Sequence, residues 1–216
     1  MNPESSQLSG ERPVNQPPIA KLLLVLYLIL FAVCAIKPAY RDVWVAENAP
    51  IVLLVGILIW IARYQRLSAG AWVWAFFLPA LHTIGGHYTF EHVPFGYVSD
   101  LFGFERNHFD RMAHFTVGFL AYPLAELTLK RRWIQVPLVG YLFPLFAIMA
   151  LAGAYELFEW QYAVMGDPDA GAFVLGSQGD IWDAQKDILA DTLGALLALA
   201  GFAWSARRHG WRFGPA

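Results

Sequence analysis

Six apolar stretches recur along this chain, at about residues 20–36, 48–64, 70–86, 109–129, 134–157 and 186–205. They limit the fold more than any other feature. In a bilayer every backbone N–H and C=O must be satisfied within the segment, so an apolar run of this length forms a helix. Several stretches hold only about 15 to 18 strictly apolar residues, the low end for a spanning helix. The third and fourth reach that length only because polar residues complete their outer ends. The charged fraction is 15%, well below the roughly 25% of a soluble domain. Nine Trp and 16 Phe suit the two bilayer interfaces. The expected fold is all-α: a polytopic membrane bundle of about six transmembrane helices. The single membrane domain is placed at residues 19–206, after a disordered polar tail (1–18) and before a short basic tail (207–216).

Lys21 and the apolar run after it resemble a signal peptide, but the polar lead of about 20 residues favours an uncleaved anchor. With six spans both termini share a side. Arg12, Lys21, Arg63, Arg66, Lys130, Arg131, Arg132, Arg207, Arg208 and Arg212 fall on that side. Lys37, Arg41, Arg106, Arg111 and Lys186 fall on the other. The positive-inside rule then puts both termini in the cytoplasm. A net charge of −2 provides no basic field, so nucleic acid is not expected as a partner. The lone Cys34 excludes an intrachain disulfide and a cysteine zinc cluster. No internal repeat is visible, which weakens an inverted-repeat transporter.

This topology sends most polar groups to one place. His82 and His87 leave the third span outward, and Asp110 and His114 begin the fourth. Glu156 and Glu159 end the fifth, and Asp180, Asp183, Asp187 and Asp191 lead into the sixth. Read as a helix, Gly176–Asp191 puts its four aspartates on one face. Asp110/His114 and Glu156/Glu159 stand at i, i+4 and i, i+3, the spacing by which bundle helices build metal sites. Gly85 and Gly86 are expected to let the third helix bend, so that His82 and His87 face the same way. Asp191 lies inside the apolar run, where a bare carboxylate costs roughly 2.5–3.5 kcal/mol on insertion scales.

Each group also has a plainer reading. Glu91, His92, Asp100, Glu105, Asp167 and Asp169 are in loops, where solvated side chains are normal. Glu126, beside Lys130, is expected to snorkel or pair. Ser177 sits in a Gly-rich turn rather than a nucleophile elbow. The convergent set itself could be helix glue made of Asp–Arg and His–carboxylate pairs.

The motifs HTIGGHYTF (82–90), ERNHFDRMAHF (105–115), YELFEW (155–160) and LGSQGDIWDAQKDILADTLGA (175–195) together resemble the YjdF-type bacterial inner-membrane family. The resemblance covers roughly residues 50–205. It implies a multi-pass protein of the bacterial inner membrane, and it carries over no catalytic residues, because the family's domain has no assigned function.

From spacing and topology, the leading expectation is a metal-dependent membrane enzyme at the periplasmic ends of helices three to six. His82, His87, Asp110, His114, Glu156, Asp180 and Asp187 are its candidate ligands, with Glu159 or Asp183 as general base. Nitrogen and oxygen donors without paired thiolates suit zinc or iron. The substrate would be a lipid or lipid-linked molecule, hydrolysed or oxidised. The alternatives are a proton- or cation-coupled transporter using the same carboxylates, and a non-catalytic structural protein.

Overall fold

A computed structural model describes residues 14–166 and 168–214, and among them the chain is helical without a strand. The order is α1 (Pro18–Cys34), α2 (Arg41–Tyr64), α3 (Ala69–Tyr88), a 3-10 turn (Phe90–His92) and α4 (Gly96–Phe102). Then come α5 (Phe109–Val117), a 3-10 turn (Gly118–Leu120), α6 (Ala121–Lys130), α7 (Pro137–Met165), α8 (Pro168–Leu175) and α9 (Asp183–His209). Among the described residues, α2, α7 and α9 are long and apolar enough to cross a bilayer by themselves. α1 is a shorter apolar helix of the same kind. The expected start of the N-terminal tail and Asp167 lie outside the described residues.

α9 is the central element. It packs on α5, α6 and α7, with Ala195, Ala198, Leu199 and Phe202 buried along one face. Just past the end of α5 the chain crosses α9 closely, where Gly118 meets Gly194. A Cβ on Gly118 would overlap the backbone of Asp191 and Ala195, and one on Gly194 would overlap the Phe115 carbonyl. Only hydrogen at both Cα positions allows this approach. It draws the stretch carrying Asp110 and His114 against the turns carrying Asp187 and Asp191. The fourth apolar stretch is thus two helices joined by a tightened turn. Pro123 contributes, since it has no N–H to bond the Phe119 carbonyl.

Several expected boundaries move. α2 starts at Arg41, not near residue 48, because Asp42 in the first turn complements the helix dipole. The added turns bring Glu47 and Asn48 inside the helix, fully buried. α7 runs to Met165, two turns beyond the apolar run. α3 continues as helix through Gly85 and Gly86 to Tyr88. Those glycines admit neighbours instead: the Phe90 ring lies where a Gly85 side chain would be, and Glu47 and Asn48 lie against Gly86. Gly176–Trp182 is not helical. Gly176, Gln178 and Gly179 have φ of +59°, +48° and +83°, a left-handed run that delays the helix to Asp183. Three of the four aspartates therefore share the helix face, while Asp180 reaches in from the turn.

The described ends of the chain are tied down more than composition implies. Gln16 donates to the carbonyls of Ala62 (2.7 Å) and Gln65 (2.8 Å) and accepts from Leu67 N–H and Trp72 Nε1. At the other end, α9 continues through Arg207 and Arg208, and Phe213 packs under Phe202 beside Gly140.

Glu126 is fully enclosed rather than snorkelling. It accepts from Ser68 N–H (2.6 Å), Ser68 Oγ (2.5 Å) and Lys130 Nζ (2.6 Å), which fastens the start of α3 to α6. Glu126→Ala leaves the Ser68 donors without this acceptor, so a loss of about 1–3 kcal/mol is expected. Thermal unfolding in detergent checks this. Glu126→Gln, which keeps an acceptor for Ser68, should lose less.

Candidate functional site

At the end of the bundle opposite Glu126, His114 on α5 is a hub. Its Nδ1 lies 3.4 Å from Asp191 Oδ2, within hydrogen-bond reach. Its Nε2 faces Asp110 Oδ1 at 3.8 Å and Glu156 Oε1 at 3.9 Å, both beyond a direct hydrogen bond. Asp110, His114 and Asp187, all buried, each offer a ligand atom within 4.8 Å of the others. Asp110 and His114 come from one face of α5 and Asp187 from α9, which the glycine crossing brings together. Asp191 Oδ1 is fully buried and without a hydrogen-bond partner among the described residues. Leaving such an oxygen unpaired is unfavourable unless something meets it.

Next to this cluster is a latch of ion pairs. Arg111 donates to Asp180 (3.0 Å), Asp183 (2.6 Å) and, through Nε, to Asp187 Oδ1 (3.2 Å). Arg106 reaches the same Asp183 oxygen at 2.7 Å and the carbonyls of Gly176 and Ser177. Lys186 joins at Asp180 Oδ2 (2.5 Å). These bonds from Lys186 and Arg111 hold the Asp180 carboxyl well below the usual carboxylate range. His108 is shifted the other way for an imidazole, downward, by burial and by the nearby Arg106 and Arg111. Asn107 and Gln178 exchange backbone-to-side-chain bonds (3.1 and 3.0 Å), so the two loops are locked together.

A third group lies on α2, α3 and α7. Glu47 Oε2 accepts from Tyr155 Oη (2.7 Å) and stands 3.0 Å from His82 Nε2; Glu47 Oε1 is buried and unpartnered among the described residues. The Tyr155 ring also lies against His114, 6.2 Å between centroids, so it spans the two clusters. Asn48 accepts from Thr83, completing the α2–α3 contact.

A cavity of about 230 Å³ lies between the His114 cluster and the His82–Tyr155 group. Its polar end holds His82, Asp110, His114, Tyr155, Glu159 and Asp191. The remainder is apolar and runs between α2 and α7, past Leu54, Ile57 and Leu151.

The expected site residues therefore separate. Asp110, His114 and Asp187 come together, with Glu156 close by and Glu159 on the cavity wall. His82 also lines the cavity, bonded to Glu47. Asp180 and Asp183 are engaged by arginines. His87 is apart: α3 stays helical through Gly85 and Gly86, and His87 Nδ1 donates to the Cys34 carbonyl (2.7 Å) at the end of α1. Sequence reasoning missed Glu47 and Tyr155. Glu47 was legible as a carboxylate heading an apolar run; nothing marked Tyr155 apart from other interfacial aromatics. Arg106 and Arg111 were named in the reading mainly as topology markers, but Asp–Arg pairing of the helix ends was its plainer alternative, and Asp180 and Asp183 are paired in that way.

The fold and this enclosed set of ionisable groups define an all-helical membrane protein with a polar site among its helices. The chain belongs to the family described as "Predicted membrane protein (DUF2238)", whose pattern matches residues 19–208. It is similar to the inner membrane protein YjdF of Escherichia coli (strain K12), 32% identical over 174 residues, which covers 79% of this chain and 82% of that protein. No solved structure matches.

Proposed function

We propose that this protein is a metal-dependent membrane enzyme whose ion is held by Asp110, His114 and Asp187. The observation that carries the reading is the approach of three buried ligand atoms to within 4.8 Å of one another, from two helices. Asp191 supports it. Its bond to His114 Nδ1 leaves Nε2 as the ligating nitrogen, the carboxylate–histidine arrangement that orients metal-bound imidazoles. Two carboxylates and one imidazole suit zinc or iron.

Three protein ligands with room for a fourth match catalytic zinc sites, so hydrolysis is the better fit than two-ion oxidation. When bound, such an ion supplies Lewis acidity and lowers the pKa of water. Glu159, on the cavity wall, is the candidate general base. Asp183 is a poor one, since both arginines hold the same oxygen. Between this cluster and Glu126 the core is apolar, with Leu120, Ala121, Ala198, Leu199 and Phe202. That favours a one-ended site over a cation path through the protein. The reading keeps about six spans with both termini in the cytoplasm, so the site faces the periplasmic side.

Detergent-purified protein should retain close to one ion per chain after metal-replete preparation, measured by elemental analysis. The Asp110→Ala/His114→Ala pair should lose it. Less than about 0.1 ion per chain in the parent protein would remove the reading.

A further inference from the structure

The cavity has a membrane-facing opening that the ligand cluster does not explain. α2 packs on α3 and α8, while α7 packs on α6, α8 and α9; α2 and α7 meet through the Tyr155–Glu47 hydrogen bond at the polar end and flank an apolar cleft beyond it. Pro50, Leu54 and Ile57 form one wall, and Leu151 and Ala152 the other. At its mouth, Leu53 and Leu151 are 66% and 46% exposed on the face a bilayer would cover. From Pro50 to Ile57 the wall extends about 10 Å of helix. It ends at Asp110, Asp191, Glu159, His82, His114 and Tyr155.

We infer that the cleft between α2 and α7 admits the hydrocarbon chain of a lipid whose head is a hydroxyl rather than an anionic group. The apolar walls complement the chain and exclude a water-soluble substrate from that route. The acceptor-rich end complements a donor head, and Asp191 Oδ1 is an open acceptor there. Asp110 and Asp187 together balance the charge of a bound divalent ion, so a carboxylate or phosphate head would still be set against the carboxyl groups of Glu159 and Asp191, and like charges at close quarters cost several kcal/mol. The inference rests on the enzyme reading only in taking the head as the reacting end.

The test uses full-length protein in phosphatidylcholine nanodiscs. Each sample is doped with a diazirine-bearing long-chain alcohol or with the matching fatty acid, irradiated, and mapped by peptide mass spectrometry. Leu78, Ala113 and Leu120 line the cavity yet are shielded from bulk lipid. The alcohol should label them at least about tenfold more than the acid does. Leu151→Trp, a substitution at the exposed mouth, should abolish this labelling and leave that of the outward Leu196 and Leu197 unchanged. The inference is overturned if the alcohol never reaches the interior residues, if both probes label them equally, or if Leu151→Trp has no effect. Metal content measured on the same samples separates the two ideas. Bound metal without interior labelling defeats this inference alone, and interior labelling without metal defeats the metal site alone.

Discussion

Gly194→Val is expected to be the most damaging single substitution in the chain. Its side chain would enter the space of the Phe115 carbonyl and the Gly118 Cα, both backbone atoms that no rotamer change can move. α5 and α9 would have to separate. Overpacking a tight core costs about 1–3 kcal/mol where side chains yield, and more where only backbone can. For a chain of this size, about 3 kcal/mol corresponds to roughly 6–12 °C in the unfolding midpoint. Differential scanning fluorimetry in detergent measures it. A second readout tests the functional link: separating the helices pulls Asp110 and His114 from Asp187, so retained metal should fall with stability. Gly153→Ala, at a glycine with open space around it, is the control and should change neither.

Arg111→Met should have the next largest effect. The guanidinium is the shared cation of Asp180, Asp183 and Asp187, and its side chain is 19% exposed against 8% for Asp183 and 3% for Asp187. Its loss leaves these carboxylates close together, with Arg106 as the remaining arginine. Removing one partner of a buried pair costs about 3–5 kcal/mol, mostly from the charge left behind. Partial exposure of Arg111 puts the expectation near the lower figure. Adding Asp183→Asn in the same chain should recover part of the loss, because it removes one of the stranded charges. A double-mutant cycle on the unfolding midpoint measures that coupling. Equal, additive losses would show that Arg111 acts through its packing alone.

Much of the candidate site was readable beforehand, for a definable reason. Asp110/His114 and the run Asp183, Asp187, Asp191 follow helical periodicity, so one face could be assigned from spacing. His87 could not be assigned in this way. Its direction depended on whether Gly85-Gly86 bends α3, and the glycines instead make room for Phe90 and α2. Asp180 was given to the helix because four aspartates fit its period, but the positive φ angles from Gly176 to Gly179 keep it in a turn. Glu47 escaped because the boundary of α2 was drawn where apolar residues begin, whereas the helix starts two turns earlier on polar ones.

Hydrophobicity and helical period, both local properties, were enough to determine an all-helical membrane chain. They also showed that carboxylates and imidazoles gather near one end of it. Which of those groups meet depended on contacts between residues far apart in the chain. The Gly118–Gly194 crossing sets Asp110 and His114 against Asp187 and Asp191, while Arg106 and Arg111 claim Asp180 and Asp183. The cleft between α2 and α7 belongs to two helices that meet through Glu47 and Tyr155 at its polar end and line it with apolar residues beyond, and no stretch of either sequence encodes it alone.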